Sequence, residues 1–450
     1  MTTSSERPMS RRQFIRLVGA TAAGAVLAAC APPATPAPGP TSAPGAVTEP
    51  TKAAPAAAAV TIRFGRHDVV DGDAANAKSF QEKYPNITVQ QEQLADFATK
   101  VPALVAAGTL PDVLRSWEAM AFDLMRAKQL IDEKSYVDAQ ADFNAADFFE
   151  NWYNYPVLNG QRIGVPDVIA PHVTFLNVDL FEKRGVELPK PDSFTWDDFV
   201  AAAKKISDVN NKVWGTSAIP VGWTYYSLKQ LWQNGGDYFS PDYKTCIIDQ
   251  PAAIEAIQFW ADQMQAGDVM PTPSQMSGIG GADAESKLFD AGQQGMQRIG
   301  TWVIQTAVGD KFKFNMVPEP SRKRRDTILH GGINAISVKS THKDEAWLWV
   351  NHRCSTQGIY NYAFYGKFAG ARRSSNQIKP LPWVAETAFE VNWDVVPQAG
   401  EYGHVLPGPA NEQEALKPIT DALEKIYNGS AKAADILPGI VKQVNQALQG

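Results

Sequence analysis

The sequence predicts an α/β fold with parallel or mixed sheets. Short strand-like runs alternate with amphipathic helical stretches throughout the chain beyond about residue 60, and no tandem repeat of fixed period is found. Aromatic residues (20 Phe, 13 Tyr, 12 Trp) are frequent enough to fill a large core and exclude a wholly disordered chain. With 450 residues the chain has room for two or three domains. Three cysteines exclude a disulfide-dense scaffold, and a formal charge of -6 argues against a general nucleic-acid binder. Six scattered histidines argue against an elaborate histidine metal centre.

The N-terminus reads as a targeting segment, with an ordinary buried helix or a terminal membrane anchor as the alternatives. Ser10-Arg11-Arg12-Gln13-Phe14-Ile15-Arg16 precedes a weakly hydrophobic Gly/Ala-rich core, Leu17 to Ala29, in the manner of a twin-arginine export signal. Leu27-Ala28-Ala29-Cys30 resembles a lipobox, which makes residues 1–29 a signal peptide and Cys30 the lipidated residue. Cleavage there removes four arginines and one glutamate, leaving a more acidic mature chain. No later apolar run is a convincing membrane span. From Cys30 to residue 59 the chain is almost entirely Ala, Pro, Gly, Thr and Ser, too poor in apolar surface to offset the entropy of ordering. The expected arrangement is lipid, disordered spacer and globule on the outer face of the cytoplasmic membrane.

The globule opens with an alternating strand, Val60–Gly65, and a Gly/Asp-bearing loop, Arg66–Asp73. A helix around 74–84 and a second strand at 86–90 complete a β-α-β unit. Gly108-Thr109-Leu110-Pro111-Asp112 turns into a third strand, and a helix follows over 119–127. A strand begins near Gly160–Pro166. Thr195 is a helix N-cap with Asp198 three positions on, and Phe199, Ala202, Ala203 and Ile206 repeat along one face of that helix. Pro251 starts a helix that ends before Gly267, with Ile254, Ile257, Ala261 and Met264 as its buried stripe. Segments 344–352 and 412–427 also have helical periodicity.

Four stretches, in their order and spacing, resemble the extracellular family 1 solute-binding proteins of ATP-driven (ABC) importers, the maltose-binding type. They are Gly108–Val113; Gly160–Val165 with Val173–Phe181; Pro191–Phe199; and Phe289–Trp302 with Gly331–Ile336. The resemblance covers most of the chain from Val60 onwards. It implies a periplasmic-binding-protein-like fold of type II, two α/β lobes joined by discontinuous crossings and a hinge. Lobe one is expected at 60–169 and 299–338, lobe two at 170–298 and 339–450. It further implies a ligand receptor rather than an enzyme, without cofactor, monomeric, handing a sugar to an ABC permease with a cytoplasmic ATPase. The chain departs from the family in three places. Phe175 is followed by Leu176 at the first crossing, loop Arg66–Asp73 lacks tryptophan, and Trp223, Tyr225 and Tyr226 crowd another loop.

A pyranose offers an apolar C–H face to a flat ring and hydroxyl edges to carboxylates, amides and backbone groups. Trp302, after Gly300-Thr301, is the leading platform; a core tryptophan is the alternative. Trp223 and Tyr225 follow Pro220-Val221-Gly222, where one ring of the group can instead support the others. Trp117-Glu118 offers a ring and an acceptor together, or else a hydrophobic staple with a favourable first-turn charge. Asp68 follows the first strand and is a candidate for paired hydroxyls, or a solvated turn residue. Gly332 offers backbone N–H groups that no side chain shields. Arg372 and Trp383 are weaker candidates, since Arg372-Arg373 also reads as a solvated pair.

Gly278-Ile279-Gly280-Gly281 lacks dinucleotide-binding spacing, and Glu386 and Glu390 read as surface groups rather than a glycosidase pair. Cys246 and Cys354 either form a disulfide or remain two buried thiols. The readings that stand beside a sugar receptor are a receptor for a polyol, glycerol phosphate or peptide, and a secreted polysaccharide hydrolase.

Overall fold

The computed structural model describes residues 58–67, 71–220, 224–279, 284–306, 311–379, 389–406, 408–409 and 411–449. The export segment and Cys30 lie outside them, as do Asp68, Trp223 and Trp383. Ala57–Gly450 forms one compact unit.

The opening β-α-β unit is β1 (Val60–Arg66), α1 (Asp71–Lys83) and β2 (Ile87–Gln93). α2 (Phe97–Ala107) stops at Gly108, whose φ of 67° is costly for any residue with a Cβ. β3 (Val113–Trp117) runs directly into α3 (Glu118–Arg126). β4 (Val165–Ile169) and β5 (His172–Asn177) are buried along their whole lengths, so they show no alternation. α4 (Trp196–Ile206) begins with the expected capping box: Thr195 Oγ1 accepts from Asp198 N at 3.2 Å and Asp198 Oδ2 accepts from Thr195 N at 3.0 Å. There follow β6 (Trp214–Thr216), α5 (Leu228–Asn234) and α6 (Pro251–Ala266), the last with proline in its first turn and Gly267 left-handed at its end. β7 (Gln294–Gly300), β8 (Phe314–Val317), β9 (Ile328–Leu329) and β10 (Gly331–Ile336) carry the chain to α7 (Lys343–Arg353) and α8 (Thr356–Gly366). The described chain closes with β11 (Ala369–Gly370), β12 (His404–Val405), α9 (Glu412–Tyr427) and α10 (Ala433–Gln449).

Two sheets organise these elements. The six-stranded sheet has the order β11-β4-β10-β3-β1-β2, and the four-stranded sheet the order β8-β5-β7-β6. β1 runs parallel to β2 and β3, whereas β10 is antiparallel to β3 and β4. In the second sheet β5 is antiparallel to β7 and β8, and β6 is parallel to β7. Mixed sheets are what the alternating pattern predicts. Among the described residues the chain passes between the two sheets along two adjacent paths, at 169–172 and 317–331. Ala170 N donates to His330 O at 2.7 Å and Thr327 Oγ1 to His172 O at 2.7 Å, tying the two paths together.

The elements depart from the expected lobe division, and β11, expected with lobe two, is itself an edge strand of the six-stranded sheet. Phe314–Val317, expected with lobe one, hydrogen-bonds to β5 in the four-stranded sheet. α7 and α8, expected with lobe two, pack on α1 and the six-stranded sheet, while α9 and α10 pack on α6. Local periodicity contains no signal for which sheet a returning segment joins. Trp196 and Trp260 are buried with their ring centroids 5.1 Å apart. Cys246 and Cys354 are both buried free thiols.

Candidate functional site

A cavity of about 460 Å³ lies against the six-stranded sheet and the crossing segments, with the helical turns that carry Tyr225 and Trp302 also lining it. Trp117, the last residue of β3, is the N-cap of α3 in extended conformation, so the strand-to-helix switch sets its ring at the rim. The ring is held at 4.9 Å from Phe97 and 5.3 Å from His67, centroid to centroid. Glu118 starts α3 and is turned to the same cavity. Tyr225 comes from a short helical turn, Thr224–Ser227, with Tyr226 beside it. Trp302 opens another helical turn, Thr301–Thr306. A side chain at Gly300 would run into the Trp302 ring, which explains the glycine two residues earlier.

The structure therefore gathers Trp117, Glu118, Tyr225 and Trp302, four sequence candidates more than 180 residues apart at their extremes, around one space. His67, the described neighbour of Asp68, lines it too.

Two candidates are placed elsewhere. Arg372 is buried 4.0 Å above the Phe148 ring, donates through Nε to Cys354 O at 2.7 Å and through Nη1 to Asn144 O at 2.8 Å, and so serves the packing of the six-stranded sheet. Its neighbour Arg373 pairs with Glu401 at 2.7 Å, so the two arginines are not one solvated pair. Gly332 does not line the cavity. The space a side chain would take there is filled by Arg115 and Asp167, whereas Gly331 is the glycine at the cavity wall.

Several lining residues were not singled out from sequence: Arg115, Arg126, Tyr155, His330 and Glu412. Arg115 and His330 each stand one or two positions from a recognised motif, Trp117-Glu118 and Gly331-Gly332. Tyr155 and Glu412 carry no local signal.

The cavity surface is mostly apolar, and several of the polar side chains around it are held by partners. Glu412 accepts a hydrogen bond from the Tyr225 hydroxyl. Burial raises the Glu412 carboxyl above its ordinary value, with the Tyr225 bond opposing that shift. Burial, then the charge of Glu412, raises the Tyr225 phenol, and burial and Glu118 do the same for Tyr155. Both phenols are thus neutral hydrogen-bonding groups. Arg126 reaches Gly408 O and Pro409 O at 3.2 Å each. Behind Arg115 runs a buried ionic chain: Arg115 to Asp167 at 2.9 Å, Asp167 to Arg353, Arg353 to Asp73 at 2.9 Å, and Asp73 to Arg66 at 2.7 Å. On the other side His172 Nδ1 lies 3.0 Å from Lys229 Nζ, which pairs with Glu319 at 2.9 Å. Burial, then the Lys229 charge, pushes His172 well below its ordinary value, so it is neutral. Among the described residues no group of three or more His, Cys, Asp or Glu is arranged to hold a metal ion. No helix there is long and apolar enough to cross a membrane.

The sequence profile of the bacterial extracellular solute-binding proteins matches residues 68–352. The chain belongs to this family. An ABC substrate-binding protein of Listeria monocytogenes, solved in complex with cycloalternan, superposes with a TM-score of 0.75 at 24% identity, over 87% of this chain and 99% of that one. Maltose-bound MalE3 of T. maritima superposes with a TM-score of 0.68 at 22% identity, over 87% and 99% of the two chains. A binding protein of Brucella abortus is 23% identical over 386 residues, 83% of this chain and 88% of its own. An arabinooligosaccharide-binding protein of Halalkalibacterium halodurans is 25% identical over 146 residues, about a third of each chain. The solved neighbours establish the fold of this solute-binding protein as the type II periplasmic-binding-protein fold expected from the sequence. The family works outside the cytoplasm, and its matched members are binding proteins.

Proposed function

We propose that the protein captures a neutral sugar or oligosaccharide in its aromatic-lined cavity and delivers it to an ABC permease, whose cytoplasmic partner hydrolyses ATP. The observation that carries this reading is the convergence of Trp117, Tyr225 and Trp302 with the carboxylates Glu118 and Glu412 around one apolar cavity. Flat rings can cover the C–H faces of a pyranose, and carboxylates and phenols can pair with its hydroxyls. The ligands of relatives point the same way: cycloalternan, maltose and arabinooligosaccharide. Asp68, Trp223 and Trp383 remain proposed ligand contacts.

The two sheets mark the proposed lobes, and the paired paths at 169–172 and 317–331 are the hinge. Ligand shifts the population towards a closed form only through contacts it makes better there, and the cavity has walls from the six-stranded sheet and from the helical turns Thr224–Ser227 and Thr301–Thr306 to provide them. Cleavage before Cys30 and lipidation of its thiol would tether the receptor, as a monomer, beside the permease. Isothermal titration calorimetry of the full chain in detergent against a panel of neutral mono- and oligosaccharides tests the reading. Saturable binding of one of them is expected. Failure across the panel, with saturable binding of glycerol phosphate, a polyol or a peptide, would overturn the sugar reading.

A further inference from the structure

His330 stands at the junction of everything that frames the cavity. Its backbone carbonyl accepts from Ala170 N at 2.7 Å, which fixes it to the neighbouring crossing path. Its ring lies 5.2 Å from Trp302, nearly perpendicular to it, and 5.2 Å from His172, centroid to centroid. Its Nδ1 lies 2.5 Å from Oε1 of Glu118, which starts α3 directly after β3, the strand paired with β10 in the same six-stranded sheet. The other oxygen of that carboxylate, Oε2, is buried and has no hydrogen-bond partner. Glu118 is only 5% exposed, yet both it and His330 line the cavity. A carboxylate with one oxygen tied down and the other left as a buried acceptor is costly unless something donates to it.

We infer that His330 is a positioning residue for ligand recognition: its Nδ1–H fixes Glu118 so that Oε2 accepts a hydroxyl of the sugar that lies on Trp302. The inference rests on the sugar-receptor reading and deepens it by stating what this edge of the cavity recognises. A hydroxyl satisfies Oε2; a phosphate or uronate carboxylate placed there would meet like charge. Because one imidazole contacts both Glu118 and Trp302, it sets the ring platform and the polar edge relative to each other. Fixing a polar group in its binding orientation before the ligand arrives lowers the ordering cost of association.

The test compares two near-isosteric substitutions, His330→Asn, which keeps a donor near the Nδ1 position, and His330→Leu, which has none. Calorimetry with maltotriose and with arabinotriose, on the full chain, should show His330→Leu binding about tenfold more weakly than His330→Asn, the loss of one charge-assisted hydrogen bond. In a Glu118→Ala background the two should bind equally, because the acceptor is gone. Glu118→Ala alone, which leaves residue 330 untouched, should weaken binding at least as much as His330→Leu, and this arm decides the matter if a residue 330 variant does not fold. Equal binding by the two variants with Glu118 present, a difference that survives Glu118→Ala, or a Glu118→Ala protein that binds like wild type would each overturn the inference while leaving the sugar reading intact. A wild-type chain that binds neither sugar would overturn this inference together with the reading beneath it.

Discussion

Asp167 on β4 lies 2.9 Å from Arg115 on β3, and both side chains are buried. Arg353 of α7 approaches the same carboxylate, so Asp167 joins a cavity-lining arginine to the helix layer behind the sheet. β4 leads directly into the first crossing, which makes this pair the anchor of the proposed hinge to the six-stranded sheet.

Removing the anchor leaves two buried guanidiniums short of a partner. Asp167→Ala should lower unfolding stability by about 3–5 kcal/mol, measured by urea denaturation. Burial alone would raise the Asp167 carboxyl, but Arg115 and Arg353 outweigh it and hold the group below the ordinary carboxylate range. A depressed native pKa gives stability that is present above the unfolded value and is lost as pH falls through the native one. The wild-type chain should therefore lose this contribution only in strong acid.

Glu133 behaves in the opposite sense. It is buried, its Oε1 accepts from Ile336 N at 2.8 Å, its Oε2 has no partner, and burial raises its pKa from 4.5 to about 8. The native state then holds a proton that the unfolded state has released, so stability is full below 4.5 and falls as pH rises through about 8. Glu133→Gln keeps the acceptor for Ile336 and removes the ionisation. Its Tm should fall less than that of wild type between pH 5 and pH 9, by differential scanning calorimetry; parallel curves would contradict the assignment.

Trp302→Ala removes the proposed platform while leaving the strands in place. For a sugar bound by the wild type the expected loss is about 2 kcal/mol, roughly thirtyfold in Kd. Gly300→Ala should reproduce most of that loss by pushing the ring aside, since the added methyl meets it directly. Trp196→Ala, in the core, should instead lower Tm.

Cys30→Ser should release the receptor from the membrane. Fractionation of expressing cells should find wild type with the membranes and the variant in the soluble extracytoplasmic fraction; co-sedimentation of both would contradict lipid tethering.

What the sequence made legible follows its local chemistry. The Thr195 capping box, Pro251 at a helix start and Gly267 at its end all act within a few residues, and all lie where expected. Trp117, Glu118, Tyr225 and Trp302, which line one cavity, each stand where motif and residue type coincide. Arg372 was misplaced because its packing partner Phe148 is 224 positions away in the chain and leaves no trace beside it. His330, Tyr155 and Glu412 reach the cavity only through sheet pairing and helix packing, which no window of sequence contains. The same holds for Phe314–Val317, whose sheet is chosen by its pairing with β5.

The central claim is that this aromatic-lined cavity is where the ligand sits. A crystal structure of the full chain with the sugar that binds most tightly in the calorimetric panel tests it directly. The account predicts density for that sugar on the Trp302 ring, within hydrogen-bond reach of Glu118 and bounded by Trp117 and Tyr225. Density for the sugar at any other surface, with this cavity holding only solvent, would contradict it.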